Sequence, residues 1–406
     1  MQTTLSQLIA EASWSERVEA ILRKCVHCGF CTATCPTYMI TGSELDSPRG
    51  RIYLIKQVLE GAKTTELTQF HLDRCLTCRA CESTCPSGVN YSELLEVGRQ
   101  QVDLQVGRRG MDRLVRWLLR TIIPRGRLLK FFLTPFRLVM PVLPPVMTAR
   151  LPLERSRGNW PSKTHPRRML ILEGCAQFAL APDINGAAAR LLDRYDITPV
   201  VAPGAGCCGA LERHLDAKTA SLDAMRRNID AWWPHLQSGA EALCMTASGC
   251  GVTVKEYGRL LADDPSYAKK AKQISELTFD LAEIMDREEE ELKVGDQVKP
   301  LRVAVHNPCT MRHGQKLEGI VERLVERLGH TVVRVDDPHL CCGSAGTYSI
   351  LQPQLSKKLG ENRGAVLKAD SPDLIVTANI GCLLQLKKYS DLPVRHWADL
   401  VDEGTV

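Results

Sequence analysis

The 406-residue sequence predicts an α + α/β protein in which a helical N-terminal domain precedes a duplicated, cysteine-rich α/β domain. Residues 1–100 contain eight cysteines in short repeats and read as largely helical. Residues 101–168 are basic and free of cysteine. In the remainder, short β-branched runs alternate with longer amphipathic helices, which is typical of parallel α/β units. We expect a basic linker at 101–168, with the two α/β copies at 169–290 and 300–406.

The composition excludes some classes of function. The chain opens without a basic segment followed by an apolar one, so its 17 cysteines are expected to bind metal in a reducing, intracellular compartment. The net charge of +5 is concentrated in residues 101–170, where fifteen Lys and Arg face three Asp and Glu. No nucleic-acid motif accompanies this basic block, so no nucleic-acid partner is expected.

The N-terminal domain contains the spacing C-x2-C-x2-C-x3-C-P twice, at 25–36 and 75–86. This spacing is the ligand run for paired [4Fe–4S] clusters, in which the fourth cysteine of each run crosses to the other cluster. Structural zinc is the alternative, but four cysteines in each run exceed what a zinc ribbon needs. We therefore expect a helical ferredoxin-like domain with two [4Fe–4S] clusters. The first would be held by Cys25, Cys28, Cys31 and Cys85, and the second by Cys75, Cys78, Cys81 and Cys35.

The α/β region is an internal duplication, because its cysteines recur at offsets of 134, 134, 134 and 132 residues. Each of them follows a predicted strand, and open α/β sheets bind ligands at the carboxyl ends of their strands. The candidate additional cluster ligands are Cys175, Cys207, Cys208 and Cys250 in the first copy and Cys309, Cys341, Cys342 and Cys382 in the second. Cys244 lies in a predicted strand without a counterpart and is expected in the core.

Gly204, Gly206 and Gly209 also spell G-x-G-x-x-G, the fingerprint of a dinucleotide-binding turn. The matched segment of the second copy keeps only the last of these glycines. An acidic residue at the end of a second strand about 20 positions later is also absent. The sequence therefore favours a cysteine-pair site, and neither flavin nor NAD is expected in this chain.

The order of a single cysteine, a Cys-Cys-Gly turn and a final cysteine resembles the paired CCG domains of heterodisulfide-reductase-type subunits. In that family such domains can bind a non-cubane iron–sulfur cluster. The family's terminal C-x-x-C here begins with Ala247 and Asn379, so each copy lacks one thiolate. Two interpretations remain open: one or two further clusters, or a scaffold with buried thiols.

Longer strings, at 27–38, 46–57, 75–89, 247–258 and 341–348, resemble the iron–sulfur subunits of bacterial glycolate oxidase. Related subunits serve L-lactate utilisation and anaerobic glycerol-3-phosphate oxidation. The resemblance implies an electron-transfer subunit that has no catalytic residue and is inactive on substrate alone. It also implies flavin-containing dehydrogenase partners, a quinone acceptor, and a cytoplasmic location on the inner face of the membrane. The alternatives are a lactate or glycerol-3-phosphate dehydrogenase subunit, or a reductase of heterodisulfides or quinones that uses the CCG copies as its own catalytic centre.

The basic linker begins with a predicted amphipathic helix from Met111. A basic amphipathic helix with a tryptophan suits a membrane surface, but an arm against a partner subunit or the chain's own CCG domain fits equally. The later apolar stretch at 128–147 contains charges and four prolines, which argues against a transmembrane helix. The candidate contact residues are Arg113, Arg116, Trp117 and Arg120.

Overall fold

The computed structural model describes residues 1–139, 158–288, 294–295 and 298–405. Residues 140–157 of the predicted linker therefore lie outside the described part. The chain forms two compact units. The first comprises Met1–Arg116 and His339–Leu359, and the second comprises Trp117–Pro338 and Gly360–Val406.

The first unit is helical. Its helices are Gln7–Ala10, Ser15–Lys24, Pro36–Thr41, Pro48–Leu59, Glu66–Asp73, Ala80–Thr84, Tyr91–Val106 and Tyr348–Leu351, with 3₁₀ turns at Phe30–Thr32 and Glu44–Asp46. Gly110–Ile122 and Pro353–Lys368 begin in this unit. Local signals set the helix starts: the Ser47 hydroxyl accepts from the Gly50 amide, and Pro48 occupies the first helical position. The apolar faces of the longer helices then pack around Leu22, Ile55 and Leu94, which are fully buried.

A buried ionic network ties the helices of this unit together. Asp46 is fully buried and accepts from Arg74 at 2.8 Å, while its Oδ1 lies 2.9 Å from His71 Nδ1 and 3.5 Å from Arg51 Nη2. Arg51 is equally buried and also donates to the His71 carbonyl at 2.8 Å. Burial acts to raise the pKa of Asp46, but the hydrogen bond from His71 and the charges of Arg51 and Arg74 outweigh it and lower that pKa. The network thus keeps a carboxylate ionised inside the helical core.

The second unit contains two four-stranded parallel sheets of the same topology. The strands are β1 Arg167–Ile171, β2 Ile197–Val200, β3 Ala242–Met245, β4 Thr278–Asp280, β5 Arg302–His306, β6 Thr331–Val332, β7 Leu374–Thr377 and β8 Val394–His396. The sheet orders are β2-β1-β3-β4 and β6-β5-β7-β8. Each copy therefore has a point between its first and third strands where the strand order reverses, and such points place ligands at the carboxyl ends of the strands.

Helices cover the sheets and join them into one core. They are Gly126–Val139, Ala176–Leu180, Asp183–Arg194, Ala210–His214, Lys218–Gln237, Ser248–Lys255, Tyr257–Leu260, Ala268–Glu276, Leu281–Arg287, Ile320–Arg327, Ile380–Tyr389 and Trp397–Gly404, with a π-helix at Thr310–Gln315. Ile171 of the first sheet and Val305 of the second belong to the same buried cluster, as does Trp397. The predicted α + α/β class with a duplicated α/β domain is confirmed, and each sheet has one more strand than the sequence predicts.

Within the part of the chain that the structure describes, no helix combines the length and apolar character that crossing a bilayer requires.

Asp46→Asn should lower the free energy of unfolding of the helical unit by about 3–5 kcal/mol, because it leaves the buried Arg51 guanidinium without its carboxylate. Urea unfolding followed by circular dichroism measures this change. The control is Glu19→Gln, which removes an exposed ion pair with Arg23 and should cost about 0.5 kcal/mol or less. Equal losses in the two variants would contradict a dominant role for the network.

Candidate metal centres

Left-handed backbone shapes the two N-terminal cysteine runs in the same way. The residues on either side of the central cysteine have positive φ in both runs: His27 (55°) and Gly29 (88°) in the first, Thr77 (54°) and Arg79 (63°) in the second. Non-glycine residues in this conformation cost about 1–2 kcal/mol each and persist mainly at functional sites. The repeated geometry curls each run so that its first three thiols converge.

The first predicted set of four thiols lies together. Cys25, Cys28, Cys31 and Cys85 line one pocket with an empty volume of about 440 Å³, and Cys81 lines it as well. Burial raises the pKa of Cys25, and the neighbouring Cys85 and Cys28 raise it further. Burial likewise raises the pKa of Cys31 to about 11. Cys85 comes from the second run and lies with three thiols of the first, which is the proximity that the predicted crossed ligation requires.

The second predicted set also converges. Burial raises the pKa of Cys81 well above its usual value, and repulsion from Cys78, Cys75 and Cys35 adds to that rise. The Tyr91 hydroxyl donates to Cys75 Sγ at 3.7 Å. Eight thiols in two adjacent groups of four fit two [4Fe–4S] clusters, whereas one zinc ion takes four ligands.

Buried cations accompany the second set. The Cys35 sulfur lies 3.3 Å from the Thr37 hydroxyl, which in turn accepts from Arg51 Nη1 at 3.2 Å. Arg99 is buried and donates to the Cys75 carbonyl at 3.1 Å. These guanidinium groups supply positive charge where a cluster held by four thiolates would carry negative charge.

The first CCG copy brings its four thiols into one hydrogen-bonded chain. Cys207 is joined to Cys175 and to Cys208, and Cys208 is joined to Cys250. The hydrogen bonds from Cys175 and Cys208 lower the pKa of Cys207 well below its usual value. The hydrogen bond to Cys207 raises the pKa of Cys175 and of Cys208. The thiols that follow strands β1, β2 and β3 therefore lie together in a single site.

Steric constraints explain why each Cys-Cys-Gly turn ends in glycine. Gly209 has a φ of 88°, and a Cβ there would lie 2.9 Å from the Ser221 carbonyl oxygen. Gly343 has a φ of 83°, and its Cβ would lie 2.9 Å from the Ser356 carbonyl oxygen. In both copies the serine hydroxyl donates to the glycine carbonyl, at 2.8 and 2.9 Å. The two turns thus share one structure and leave no room for a side chain.

Polar side chains behind the first turn hold it in place. The Asn228 amide accepts from the Gly206 N–H at 2.8 Å and donates to the Cys207 carbonyl at 2.8 Å. The Tyr257 hydroxyl donates to the Cys208 carbonyl at 2.8 Å. Gly206 therefore serves the cysteine pair, which agrees with the preference for a metal site over a dinucleotide site.

One acidic residue at this site is missing from the sequence-based candidates. The Glu212 carboxylate is buried, and its Oε2 lies 3.5 Å from Cys207 Sγ. Burial raises the pKa of Glu212 to about 8, and the charge on Cys207 adds to the rise. Glu212 lies four residues after Cys208 in a short helix, which gives no periodic signal of burial, so only the packing reveals it.

The thiols of the second copy divide between the two units. Cys341 and Cys342 are buried in the segment that belongs to the first unit, where the Tyr348 hydroxyl donates to the Arg74 carbonyl at 3.1 Å. Cys309 and Cys382 belong to the second unit, at the start of the π-helix and in the helix after β7.

A histidine accompanies Cys382. One ring nitrogen of His306 lies within 4.8 Å of Cys382 Sγ, and its Nδ1 lies 2.9 Å from the Thr377 hydroxyl. Burial lowers the pKa of His306 well below its usual value, so its ring is neutral at neutral pH. The sequence alone does not single out this histidine, because isolated histidines mostly serve as hydrogen-bonding groups.

Two further expectations concern single residues. Cys244 is fully buried in β3 within the apolar core, as expected. The sequence predicts that Arg116 lies on a contact surface, and this prediction is wrong. Arg116 is buried and forms ion pairs with Asp73 at 3.1 Å and Asp112 at 3.0 Å. The side chain of Trp117 is 53% exposed, and Arg113 is exposed as well.

Comparisons with known proteins agree with this arrangement. The family of 4Fe–4S dicluster domains matches residues 21–89, and the family of cysteine-rich CCG domains matches residues 169–255 and 303–387. The matches contain all sixteen cysteines of the two kinds of site.

Relatives cover the whole chain. The glycolate oxidase iron–sulfur subunit of Escherichia coli K12 is 50% identical over 407 residues, which span 100% of this chain and 99% of the relative. A protein of Bacillus subtilis 168 with the name probable glycolate oxidase iron–sulfur subunit is 31% identical, over 91% of this chain and 89% of its own. Lactate utilization protein A of Bacillus licheniformis is 26% identical over 54% of this chain and 92% of its own. The chain therefore belongs to the family of glycolate oxidase iron–sulfur subunits.

Proposed function

We propose that this chain is the electron-transfer subunit of a membrane-linked glycolate dehydrogenase complex. A flavoprotein partner oxidises glycolate to glyoxylate, which releases two electrons and two protons, and this chain passes the electrons towards quinone. The observation that carries the proposal is the convergence of eight N-terminal thiols into two adjacent groups of four. When bound, [4Fe–4S] clusters at these groups supply one-electron carriers.

In this proposal the residues of this chain bind the clusters and shield them from water, and they do not react with the substrate. Their raised pKa values make the thiols of Cys25, which is buried, and Cys31, which is partly buried, poor nucleophiles in the absence of a metal. The surface of the first set offers a contact point for the flavoprotein, because Cys28 is exposed and is flanked by Val26 (69% exposed) and Phe30 (62% exposed). Apolar side chains around an exposed ligand allow a partner to exclude water there.

Glycolate is the preferred substrate of the proposed complex. The relative that shares half of the residues over the full length has glycolate oxidase in its name, whereas the similarity to lactate utilization protein A covers 54% of this chain. Activity of the purified complex on glycolate, L-lactate and glycerol 3-phosphate distinguishes these dehydrogenases. Disulfide or quinone reduction by the isolated chain would instead favour a catalytic role for the CCG copies.

The CCG copies are proposed to hold further iron–sulfur clusters. In the first copy the support is the joined set of Cys175, Cys207, Cys208 and Cys250. In the second copy the support is the repeated turn at Gly343. About eight irons per chain would restrict the clusters to the N-terminal sets, and about twelve or sixteen would place clusters in the copies.

The Gly110–Ile122 helix is proposed to bind the cytoplasmic face of the membrane, where quinone is reached. Met111, Leu114, Trp117 and Leu118 are exposed on this helix. Exposed apolar side chains beside a tryptophan and basic residues suit the interface between headgroups and acyl chains. An arm against a partner subunit is the competing role for the same surface.

Cys28→Ser should abolish the glycolate-dependent reduction of a soluble quinone analogue by the purified complex and remove up to about four irons per chain. Flavin bleaching by glycolate should persist, because the flavoprotein would still accept electrons. The control is Cys244→Ala, which changes a buried cysteine of the core and should leave the iron content unchanged. Quinone reduction at the normal rate in the Cys28 variant would overturn the proposed electron path.

Leu114→Glu combined with Trp117→Glu should reduce flotation with phosphatidylglycerol vesicles by about tenfold or more, since each side chain contributes about 1.5–3 kcal/mol when buried. The matched control is Leu104→Glu, which alters an exposed leucine (73%) of the preceding helix. Undiminished flotation of the double variant would exclude this helix as the membrane contact. Loss of flavoprotein co-purification in its place would support the partner arm.

A further inference from the structure

The first CCG copy lacks one thiolate of the family pattern, and a carboxylate stands beside its remaining thiols. Position 247 is alanine where the terminal C-x-x-C would begin. The Glu212 Oε2 lies 3.5 Å from Cys207 Sγ, and Cys207 is the thiol that connects Cys175 with Cys208. We propose that Glu212 is a ligand of the metal centre in the first copy and supplies an oxygen in place of the missing sulfur.

The backbone directs Glu212 to this position. Gly209 precedes the Ala210–His214 helix in a left-handed conformation, so the chain reverses directly after the cysteine pair. Glu212 then lies in the first turn of the helix, with its side chain 6% exposed. A solvated glutamate on a short surface helix would point away from the turn. This one instead lies with its Oε2 3.5 Å from Cys207 Sγ.

The electrostatics of the carboxylate call for a cation. The Glu212 side chain is 6% exposed, so its carboxylate is largely removed from water, and its Oε2 faces Cys207 Sγ. Buried carboxylates are stable when they are protonated, paired or bound to metal. Iron at the thiols would take the carboxylate oxygen as a ligand, which is one of these stable states.

The number of donors selects the kind of centre. Four thiolates and one carboxylate exceed the four ligands of tetrahedral structural zinc. A centre with more than one iron has coordination positions for all five donors, and the vicinal pair can ligate two of its atoms. This inference rests on the proposed cluster of the first copy, but it is independent of the substrate and the partner of the complex.

The two copies differ at this point. The position matched to Glu212, at the offset of 134, is Gly346, which cannot ligate. Mixed sulfur and oxygen ligation is therefore assigned to the first copy only. Oxygen ligation also gives iron a different electronic environment from sulfur ligation, which makes the assignment accessible to spectroscopy.

The test uses the full chain, loaded anaerobically with ⁵⁷Fe and sulfide and measured by iron analysis and Mössbauer spectroscopy. The wild type should hold more than about eight irons per chain, since the N-terminal sets account for about eight. Glu212→Gln should lose at least one of the additional irons, or change the spectral component that they produce. Glu212→Cys should retain them with a component shifted towards sulfur ligation. Glu276→Gln, an exposed glutamate of the same domain, should match the wild type.

Iron content and spectrum identical to the wild type in both Glu212 variants would overturn the assignment. A wild type limited to about eight irons would overturn it too. That result would leave the proposed function standing, because the N-terminal sets would still conduct electrons from glycolate to the quinone analogue. Circular dichroism of each variant, together with the retained N-terminal irons, separates loss of a ligand from loss of the fold.

Discussion

Thiol convergence is the constraint on which the other features of this molecule depend. Several sulfur atoms can face one point only if the chain reverses within a few residues, and each reversal here uses left-handed backbone. In the N-terminal runs Thr77 and Arg79 adopt it without the freedom of glycine. In the CCG turns the same conformation falls on Gly209 and Gly343, where a Cβ would meet backbone oxygen. The strained backbone occurs where it orients thiols towards one another, as is expected at ligand sites.

Convergence creates a second requirement, since grouped thiolates carry negative charge into the interior. The second N-terminal set meets it with buried guanidinium groups. Arg51 reaches Cys35 through the Thr37 hydroxyl, and Arg99 binds the Cys75 carbonyl. Asp46 balances Arg51 in turn, so the network that stabilises the helical unit also fixes the charge beside the thiols. Beside the first set the cation lies nearer the surface, since Arg49 lines the pocket of these thiols and interacts with Cys31. Positive charge stabilises the reduced form of a nearby cluster, so both sets have a guanidinium group that can do this.

Local sequence patterns were enough to predict the fold class and which cysteines lie together. Where the structure differs from the sequence-based predictions, the cause is an interaction between segments that are distant in the sequence. The strand β4, Thr278–Asp280, has three residues and is defined by pairing with β3, so it carries no period of its own. The sequence pattern places Arg116 on the polar face of its helix. In the structure Arg116 is buried, because it forms an ion pair with Asp73, 43 residues earlier. Glu212 looks like a surface residue in the sequence, and its burial follows from the packing of the cysteine turn. The spacing of cysteines predicts candidate ligands that are close together in the sequence. Candidate ligands that come together only through the packing of the fold, such as Glu212, are not visible in that spacing.

The duplicated domains show how one frame can support two different sites. Both copies keep the parallel sheet, the Cys-Cys-Gly turn and the serine that closes it. In the first copy the surroundings contain Glu212 next to the thiols. In the second, the turn segment belongs to the helical unit, where Tyr348 binds the Arg74 carbonyl next to Cys75. The second turn is therefore connected to the N-terminal cysteine region by a hydrogen bond, while the first lies among four thiols and a carboxylate of its own copy.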